Sequence, residues 1–283
     1  MIIKKIFPWW ARIIAKIFLS RLPISYDFWS KINLFRHGQM DNSAYAYETF
    51  IKHINPDNIK GKIILEIGPG DSLSSGIIAS CFGAKSILVN PGDFLLDPLK
   101  NHTNIKNYLE KRGLSIDSSP KNIEELCKNH KITYYVNGLE SLKKIQDKSV
   151  DIIFSNAVLE HIYKDEFVNI FEEFRRIIKD EGFMSHQVDF KDHLGGSLNN
   201  LRFSDSIWES YLFRNSGFYT NRIRHQKMLN IFIETGFIVD EINLAKWNKL
   251  PINTKKLSKQ FRKCSYEDLL VSGFKVKLVP NEQ

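Results

Sequence analysis

Hydrophobic positions from residue 62 onward follow two alternating spacings. Short apolar runs rich in β-branched residues are followed by stretches in which apolar residues return every three or four positions. This alternation is typical of a parallel sheet built from βαβ units. It predicts strands at about 62–67, 85–89, 132–136, 150–155, 182–189, 237–245 and 273–279. It predicts helices near 72–82, 100–112, 121–129, 163–179, 225–235 and 255–270.

The helix predicted at 163–179 has the clearest periodicity. Gly182 follows it and indicates where the helix ends. Residues 191–224 fit neither spacing and are too long for an ordinary connection, so we interpret them as an insertion after the fifth strand. The apolar positions that define the helix are Phe167, Ile170, Phe171, Phe174 and Ile177.

The first segment, MIIKKIFPWWARIIAKIFLSRLP, is apolar but is interrupted by Arg12 and Lys16. A membrane span needs about 20 nearly uncharged residues, and no small-residue cleavage pattern marks a signal peptide. We interpret the segment as a basic amphipathic helix. Either residues 1–21 lie on an anionic membrane surface, or the helix packs on the protein's own sheet or on a second subunit.

The net charge of +8 belongs to the two ends of the chain. Residues 1–60 hold 9 Lys/Arg against 4 Asp/Glu, and residues 242–283 hold 9 against 3, so the middle is slightly acidic. A basic groove for nucleic acid is therefore not expected. The three cysteines lie far apart without a CxxC pair, which suits a reducing, cytoplasmic compartment, at the inner face of the cell membrane if the first helix binds lipid.

The stretch LEIGPG at 65–70 predicts a glycine turn after the first strand. A dinucleotide site needs a third glycine where Leu73 stands, and a P-loop needs G-K-[ST] after Gly70. Glu66 and Asp71 flank the turn, and a carboxylate about 4 Å from a phosphate charge costs roughly 4 kcal/mol at an effective dielectric constant near 20. The turn instead suits a cationic ligand with an amino group and ribose hydroxyls, which is S-adenosylmethionine.

Two further motifs follow in order, SVDIIFSNAVLEHI at 149–162 and FRRIIKDEGF at 174–183. With LEIGPG, they resemble the class I S-adenosylmethionine-dependent methyltransferases, in the branch with an L-E-H motif after the fourth strand, and the chain is similar to methyltransferases of bacterial polysaccharide loci. The resemblance covers roughly residues 60–245. It implies a Rossmann-like, doubly wound, mostly parallel seven-stranded sheet with helices on both faces. We expect N-terminal amphipathic and accessory helices at 1–60, then a methyltransferase domain at 61–283 with the insertion at 191–224.

The same resemblance implies a set of cofactor contacts. Glu66 would bind the methionine amino group, and the glycines would let the backbone approach the cofactor. Where the family usually has Asp or Glu for the ribose hydroxyls, this chain has Asn90, with Asp93 as the alternative. The remaining positions, at the turn, the adenine and the floor of the site, are Gly68, Pro69, Gly70, Leu139, Glu140, Asn156 and Ala157.

Acceptor residues are expected after the fourth and fifth strands, because open α/β sheets bind ligands outside the carboxyl ends of their strands. A hydroxyl acceptor must lose a proton to a positioned His or carboxylate. The candidates are His161, His186, Asp189 and His193. His161 alternatively packs beside the sheet, and His186 alternatively belongs to the core. A metal held by Asp189, Asp192 and His193 would match no closed zinc pattern, so no metal is expected.

The insertion is rich in aromatic and arginine residues. Trp208 and Tyr219 are candidates to stack on a flat ring or on the apolar face of a sugar. Arg222 and Arg224 follow Thr220, an expected N-cap of the next helix. Cations are disfavoured at a helix N-terminus, so they indicate either a bound anion or ion pairs with carboxylates elsewhere in the fold.

The leading hypothesis is a methyltransferase that acts on a hydroxyl of a surface-polysaccharide sugar or its nucleotide- or lipid-linked precursor. The alternative is a membrane-associated binding or scaffold protein that keeps the fold without catalysis, favoured by Asn90 and the amphipathic N-terminus. A nicotinamide-dependent oxidoreductase is disfavoured by Leu73. Fold resemblance alone does not identify an acceptor.

Overall fold

The computed structural model describes residues 8–23, 28–29 and 38–281. Seven strands form one sheet in this part of the chain. All seven lie where the hydrophobic pattern predicts them. In chain order they are β1 (Ile63–Ile67), β2 (Lys85–Val89), β3 (Ile132–Tyr135), β4 (Val150–Asn156), β5 (Ile178–Asp189), β6 (Phe237–Lys246) and β7 (Val271–Pro280).

Helices precede the sheet and connect its strands. Short 3₁₀ turns also occur, among them Leu159–His161 directly after β4 and Asn199–Arg202 in the insertion. In the described residues the α-helices are α1 (Trp9–Leu19), α2 (Ser43–His53), α3 (Ser74–Cys81), α4 (Pro98–Glu110), α5 (Ile123–Asn129), α6 (Gly138–Leu142), α7 (Phe167–Ile177), α8 (Asp205–Trp208), α9 (Tyr211–Arg214), α10 (His225–Glu234) and α11 (Tyr266–Leu270).

The strands lie in the order β3-β2-β1-β4-β5-β7-β6. β1 pairs in parallel with β2 and β4, while β7 runs antiparallel to both of its neighbours. The strand order reverses between β1 and β4, and open α/β sheets bind ligands at such a switch point, outside the carboxyl ends of the strands. The predicted fold, a Rossmann-like, mostly parallel seven-stranded sheet with an insertion after β5, is confirmed.

Apolar side chains cover both faces of the sheet. Neighbouring residues of β1 alternate between two clusters, Ile64 in one and Leu65 in the other, because successive strand residues point to opposite faces. Helix α7 covers the face of Leu65, and its five periodic apolar positions are all buried. The opposite face is covered by α2, α3 and α4, represented by Phe50, Ile78 and Ile105.

The end of α7 differs from the prediction. The helix stops at Ile177 and β5 begins at the next residue, so Gly182 lies inside a strand. The pairing of β4 with β5 shifts register at this point. A Cβ atom at Gly182 would lie 2.8 Å from the carbonyl oxygen of Asp151. Glycine is therefore required by the close approach of two strands, and not by a helix end.

The helix predicted at 255–270 is wrong. Two 3₁₀ turns occupy its first half, and α11 begins only after Ser265. The Ser265 hydroxyl accepts a hydrogen bond from the backbone N–H of Asp268 (3.1 Å) and caps this shorter helix. The apolar residues of the first half, Leu257 and Phe261, pack on leucines of the insertion.

The N-terminal helix α1 packs on the insertion. Ile13 is buried in a cluster with Trp208 and Phe218, and the Arg12 guanidinium donates a hydrogen bond to the carbonyl oxygen of Leu194 (2.5 Å). The second of the two expectations for this helix, packing on the protein itself, holds for this face, although the partner is the insertion and not the sheet.

A second apolar row of α1 faces solvent. Trp10, Ile14 and Phe18, each four residues apart, are 54%, 62% and 65% exposed. Residues 1–7 of the predicted membrane segment lie outside the described residues. Within the described part of the chain, no helix has the length and the apolar composition that crossing a bilayer requires.

Candidate active site

The glycine turn lies at the carboxyl end of β1, at the switch point of the sheet. Gly68 and Gly70 have φ angles of +72° and +69°, a region that favours glycine because it has no Cβ. The Gly68 N–H donates a hydrogen bond to the carbonyl oxygen of Val89 (2.8 Å). A Cβ atom at Gly68 would lie 2.5 Å from the side chain of Val158. The turn, with Pro69 between its glycines, is thus packed against the segment that follows β4.

Glu66, the residue before this turn, is a buried carboxyl group. Its side chain accepts a hydrogen bond from the hydroxyl of Ser75 in α3, and only 2% of the residue is exposed. Burial raises the pKa of Glu66 to about 8, and the Ser75 hydrogen bond offsets only part of that rise. A cation bound at the turn would favour the ionised form.

Asn90 follows β2 and is buried beside the same turn. Its amide nitrogen donates hydrogen bonds to the Gly70 carbonyl oxygen (2.9 Å) and to the hydroxyl of Tyr134 on β3 (3.2 Å). An aspartate here would place a carboxylate against a carbonyl oxygen, so the observed hydrogen bond requires the amide. Asp93 is exposed and accepts a hydrogen bond from the N–H of Leu95 (3.3 Å). Sequence reasoning missed Tyr134.

The segment after β3 closes over Asn90. The Gly138 N–H donates a hydrogen bond to the carbonyl oxygen of Asn90 (3.0 Å). Leu139 is half-buried against the core, while Glu140 is turned outward in an exposed ion pair with Lys143 (2.6 Å). Of the two predicted adenine contacts, only Leu139 packs on the sheet.

Ala157 follows β4 in a left-handed conformation, with φ +56°. A non-glycine residue in this region is held there by its surroundings at a cost of about 1–2 kcal/mol, and such residues cluster at functional sites. Its N–H donates a hydrogen bond to the carbonyl oxygen of Gln187 on β5 (2.8 Å). Ala157 is exposed, so this backbone forms an accessible floor beside the glycine turn.

Asn156, the last residue of β4, is surrounded by side chains of α2 that sequence reasoning missed. Its amide nitrogen donates a hydrogen bond to the Tyr45 hydroxyl (3.1 Å), and its amide oxygen lies 3.5 Å from the Lys52 ammonium and 3.4 Å from His53 Nε2. Positions 52 and 53 follow position 45 by about two helical turns. The sequence therefore indicates that these three side chains lie on one face of the helix. Lys275 donates a hydrogen bond to the Lys52 carbonyl oxygen (2.7 Å).

Two of these groups have a pKa below the usual value. Burial, and secondarily the nearby Lys275 charge, lowers the pKa of Lys52. Burial lowers the pKa of His53 to about 4, so this imidazole is neutral at pH 7. Neither Lys52 nor Lys275 has a carboxylate partner among the described residues. By contrast Lys277, two residues further along β7, pairs with Asp240 (2.6 Å).

His161 and His193 come together, as the prediction of a shared acceptor site requires. Their Nε2 atoms are 3.1 Å apart and their rings stack with centroids 4.8 Å apart. His161 Nδ1 donates a hydrogen bond to the carbonyl oxygen of Tyr219 (2.9 Å). That bond places a proton on Nδ1 and makes Nε2 the basic nitrogen of a neutral ring. Both histidines are exposed.

Asp189 lies at the end of β5, beside Glu160 of the L-E-H motif. Its N–H donates a hydrogen bond to Glu160 Oε1 (3.3 Å), and its carboxylate accepts one from the N–H of Lys191 (2.9 Å). Glu160 is only 2% exposed, and burial followed by the Asp189 charge raises its pKa to about 8. Sequence reasoning missed Glu160, although the motif contains it.

The prediction that His186 acts on an acceptor is wrong. Its ring is fully buried on the face of the sheet that α7 covers, in contact with Phe171 and Phe174. His186 Nδ1 lies 2.8 Å from the Ser155 hydroxyl, and burial lowers the pKa of the imidazole to about 3. This is the core histidine of the alternative interpretation.

The predicted stacking residues of the insertion are also interior. Trp208 is fully buried, and its indole N–H donates a hydrogen bond to the carbonyl oxygen of Thr220 (2.8 Å). Tyr219 is 5% exposed, and its hydroxyl donates to Glu209 (2.7 Å). Neither ring presents a face to a sugar. Both belong to the cluster on which α1 packs.

The predicted anion site at Arg222 and Arg224 is replaced by internal ion pairs. Arg222 pairs with Asp205 (2.5 Å) and donates to the carbonyl oxygen of Phe203 (2.7 Å). The Arg224 guanidinium lies 3.6 Å from Asp268. Helix α10 begins after Arg224 without a side-chain cap, so the expected N-cap at position 220 is wrong as well. Among the described residues, no group of three or more His, Cys, Asp or Glu could hold a metal ion.

Residues 100–185 match the family model of a methyltransferase domain. The matched stretch contains β3, β4 with the L-E-H turn, and α7, and it begins after the glycine turn at 65–70. A search of the curated proteins found no relative of the chain.

Solved structures of methyltransferases have a similar fold. An S-adenosylmethionine-dependent methyltransferase of Methanosarcina mazei is 13% identical, with a TM-score of 0.50 over 84% of this chain and 99% of that one. Phosphoethanolamine N-methyltransferase 2 of Haemonchus contortus is 18% identical (TM-score 0.45), and the match covers 84% of this chain and 53% of that one. Geranyl diphosphate C-methyltransferase of Streptomyces coelicolor is 12% identical (TM-score 0.45; 84% and 79%).

The likeness to the Methanosarcina structure supports the fold alone. The match of residues 100–185 to a methyltransferase domain supports the predicted methyltransferase activity and the predicted cofactor, S-adenosylmethionine. The acceptor is not identified by either finding.

Proposed function

We propose that the protein transfers a methyl group from S-adenosylmethionine to a hydroxyl of a surface-polysaccharide sugar or its phosphate-bearing precursor. The observation that carries the proposal is the buried Glu66 carboxyl group at the glycine turn. A buried carboxylate is costly unless a cation neutralises it, and the cofactor presents an ammonium group. The bound cofactor supplies an electrophilic methyl group on a positively charged sulfur.

The residues around the turn have distinct proposed roles. Glu66 binds the amino group, and the backbone at Gly68 and Gly70 lets the cofactor approach β1 closely. Asn90 uses its amide nitrogen within the fold, so its amide oxygen is the atom that accepts from a ribose hydroxyl. Leu139 contacts the adenine ring, and the strained backbone at Ala157 forms the floor of the site.

We propose His161 as the general base. Its Nδ1 proton is fixed by the Tyr219 carbonyl oxygen, so Nε2 is the nitrogen that accepts a proton. His193 is stacked on His161 with its Nε2 3.1 Å away, and in this tautomer it is the donor of that pair, so it orients the His161 ring. Asp189 is a positioning residue in this scheme, because its hydrogen bonds are to Glu160 and to the turn at Lys191.

Lys52 and Lys275 indicate that the acceptor carries a negative charge. Two ammonium groups near the carboxyl end of β4 repel each other, and no carboxylate of the described residues pairs with either. A phosphate group would neutralise both, and it would lie close to Asn156 and the methyl-transfer site. We therefore favour a phosphate-bearing sugar precursor over a free sugar.

Methyl transfer to a panel of nucleotide-linked and free sugars, with labelled S-adenosylmethionine, tests this acceptor class. Lys52→Met and Lys275→Met should each reduce transfer to the phosphate-bearing acceptor about tenfold, equivalent to about 1.4 kcal/mol. Lys277→Met is the matched control, since that lysine lies on the same strand but is paired with Asp240. Equal rates for all three variants, or a preference for free sugars, would contradict the proposal.

We also propose that α1 holds the protein loosely on an anionic membrane surface. The observation is the exposed row of Trp10, Ile14 and Phe18, which remains after the opposite row has packed on the insertion. An amphipathic helix buries such a row at the headgroup boundary, and each nearby Lys or Arg contributes about 1 kcal/mol.

Vesicle co-sedimentation separates this surface role from a purely structural helix. Wild type should pellet with anionic vesicles and be released by high salt. Ile14→Ser with Phe18→Ser should abolish binding without affecting the fold. Ile233→Ser, at a residue 60% exposed on α10, should bind like wild type. Equal pelleting of all these proteins would rule out the membrane role.

A further inference from the structure

A small cavity lies between the L-E-H turn, the end of β5 and the insertion. Its volume is about 10 Å³, near the lower limit for one water molecule. It is separate from the glycine turn. The polar residues that line it are Glu160, Asp189, Asn200, Thr220, Arg222 and Arg224.

Three polar atoms of this lining are buried without a hydrogen-bond or ion-pair partner among the described residues. They are Glu160 Oε2, Asn200 Oδ1 and Arg222 Nε, whereas Arg224 Nε lies 3.6 Å from Asp268 Oδ2. All three residues are at least nine-tenths buried. Native proteins leave few such atoms unpaired. Three of them around one cavity indicate a shared ligand.

The donor and acceptor types restrict what that ligand is. An anion would face the amide oxygen of Asn200, and a cation would face the two guanidinium groups. The buried Glu160 carboxyl group can donate or accept. Water donates two hydrogen bonds and accepts two, and it has the size of the cavity. No other small species matches both the mixed lining and the volume.

The surrounding hydrogen bonds tie this cavity to the turn that carries His161. Glu160 Oε1 accepts from the Asp189 N–H (3.3 Å), and the Glu160 carbonyl oxygen accepts from the Asn221 N–H (2.7 Å). The Asn221 amide donates to the carbonyl oxygens of Leu159 (2.7 Å) and Ile162 (2.9 Å). The turn is therefore held on both sides of Glu160.

We propose that one buried water occupies this cavity and that Glu160, bonded to it and to Asp189, is a positioning residue for His161. The water joins the L-E-H turn to Asn200 and to Arg222, so that the insertion supports the turn. Arg222 and Arg224, which the sequence predicts to bind an acceptor anion, thus have a structural role beside the site. The relevance of this positioning to catalysis rests on the proposed function, but the arrangement itself does not.

Two measurements test the proposal without cofactor or acceptor. A high-resolution crystal structure of the wild type should contain one ordered water within hydrogen-bond distance of Glu160 Oε2 and Asn200 Oδ1. In NMR spectra, Glu160→Leu should shift the ring signals of His161. The ring signals of His130, which lies beyond α5 near the other edge of the sheet, should be unchanged in the same spectra.

Glu160→Gln should restore the wild-type His161 signals, because its amide oxygen still accepts from the Asp189 N–H. Glu172→Leu, at an exposed glutamate of α7, is the matched control and should leave both histidines unchanged. A dry cavity in the crystal, or His161 signals identical in wild type and Glu160→Leu, would overturn the proposal. If Glu160→Leu does not fold, Asn200→Ala serves instead with Glu160→Gln as its control. His161 signals in Asn200→Ala that are identical to those of the wild type would also overturn the proposal.

Discussion

The cofactor side of the molecule, formed by β1 to β4, and the acceptor side, formed by β5 and residues 191–224, use polar residues in opposite ways. On the cofactor side, glycines at positive φ and buried Glu66 and Asn90 surround backbone that a ligand can approach. On the acceptor side, the aromatic and arginine residues pair with one another in the interior. A polar or aromatic sequence therefore indicates a binding surface only where the backbone leaves room for a ligand.

The largest expected effect is the loss of cofactor binding in a variant of the glycine turn. A control variant with the same backbone strain shows whether strain alone causes that loss. Gly70→Val should abolish cofactor binding in isothermal titration, since position 70 has φ +69° at the turn. Gly113→Val is the matched control, because Gly113 has φ +77° with no atom within 4 Å of an added Cβ. Both variants should lose about 1–2 kcal/mol of stability. Binding by the Gly70 variant would show that the turn does not contact the cofactor.

The arginines of the insertion should matter for stability. Arg222→Met removes a buried guanidinium group that pairs with the partly exposed Asp205 and donates to the carbonyl oxygen of Phe203. Loss of these charge-assisted hydrogen bonds should lower the free energy of unfolding by about 1.5–3 kcal/mol. Arg214→Met removes the exposed pair with Asp165 and should cost at most about 1 kcal/mol. Urea unfolding measures both. Equal stability of the two variants would mean that Arg222 is not a buried residue. Arg222 would then be available to bind an anion, as the sequence predicts.

This contrast also explains what the sequence could predict. The glycine turn and the helix spacing of α7 are local patterns, because φ and periodicity depend on neighbours within a few residues. The fold and the glycine turn after β1 were therefore predicted correctly. Whether Trp208 or Arg222 is buried depends on α1 and on segments more than a dozen residues away. The helix at 255–270 failed for the same reason, since tertiary packing on the insertion overrode its local pattern.

Substitution of Asn90 should have a smaller effect on cofactor binding than substitution of Gly70. Asn90→Asp would place a carboxylate beside the Gly70 carbonyl oxygen, and Asn90→Leu would leave that oxygen without its donor. We expect each to weaken cofactor binding by about 1–3 kcal/mol, measured by calorimetry. Asp93→Asn, at the exposed alternative position, should bind like wild type. Tighter binding by Asn90→Asp would contradict the observed hydrogen bonds.

The smallest expected effect is on the pH dependence of stability, through the buried Glu66. The folded-state pKa of Glu66 is raised from 4.5 to about 8. Its stabilising contribution is therefore complete below pH 4.5 and is lost as the pH rises toward 8. Glu66→Gln should lose less stability than wild type over that interval, as measured by thermal unfolding at a series of pH values. Parallel curves would mean that the carboxyl group is not buried.

The most direct test of the central claim is isothermal titration of the wild type with S-adenosylmethionine at pH 7 in two buffers of different ionisation enthalpy. Binding should release a proton, because the ammonium group of the ligand ionises Glu66. Glu66→Gln should bind more weakly and should not release that proton. A nicotinamide dinucleotide should not bind. If the folded wild type does not bind S-adenosylmethionine at millimolar concentration, the proposed catalysis is wrong and a scaffold that kept the fold is the better description.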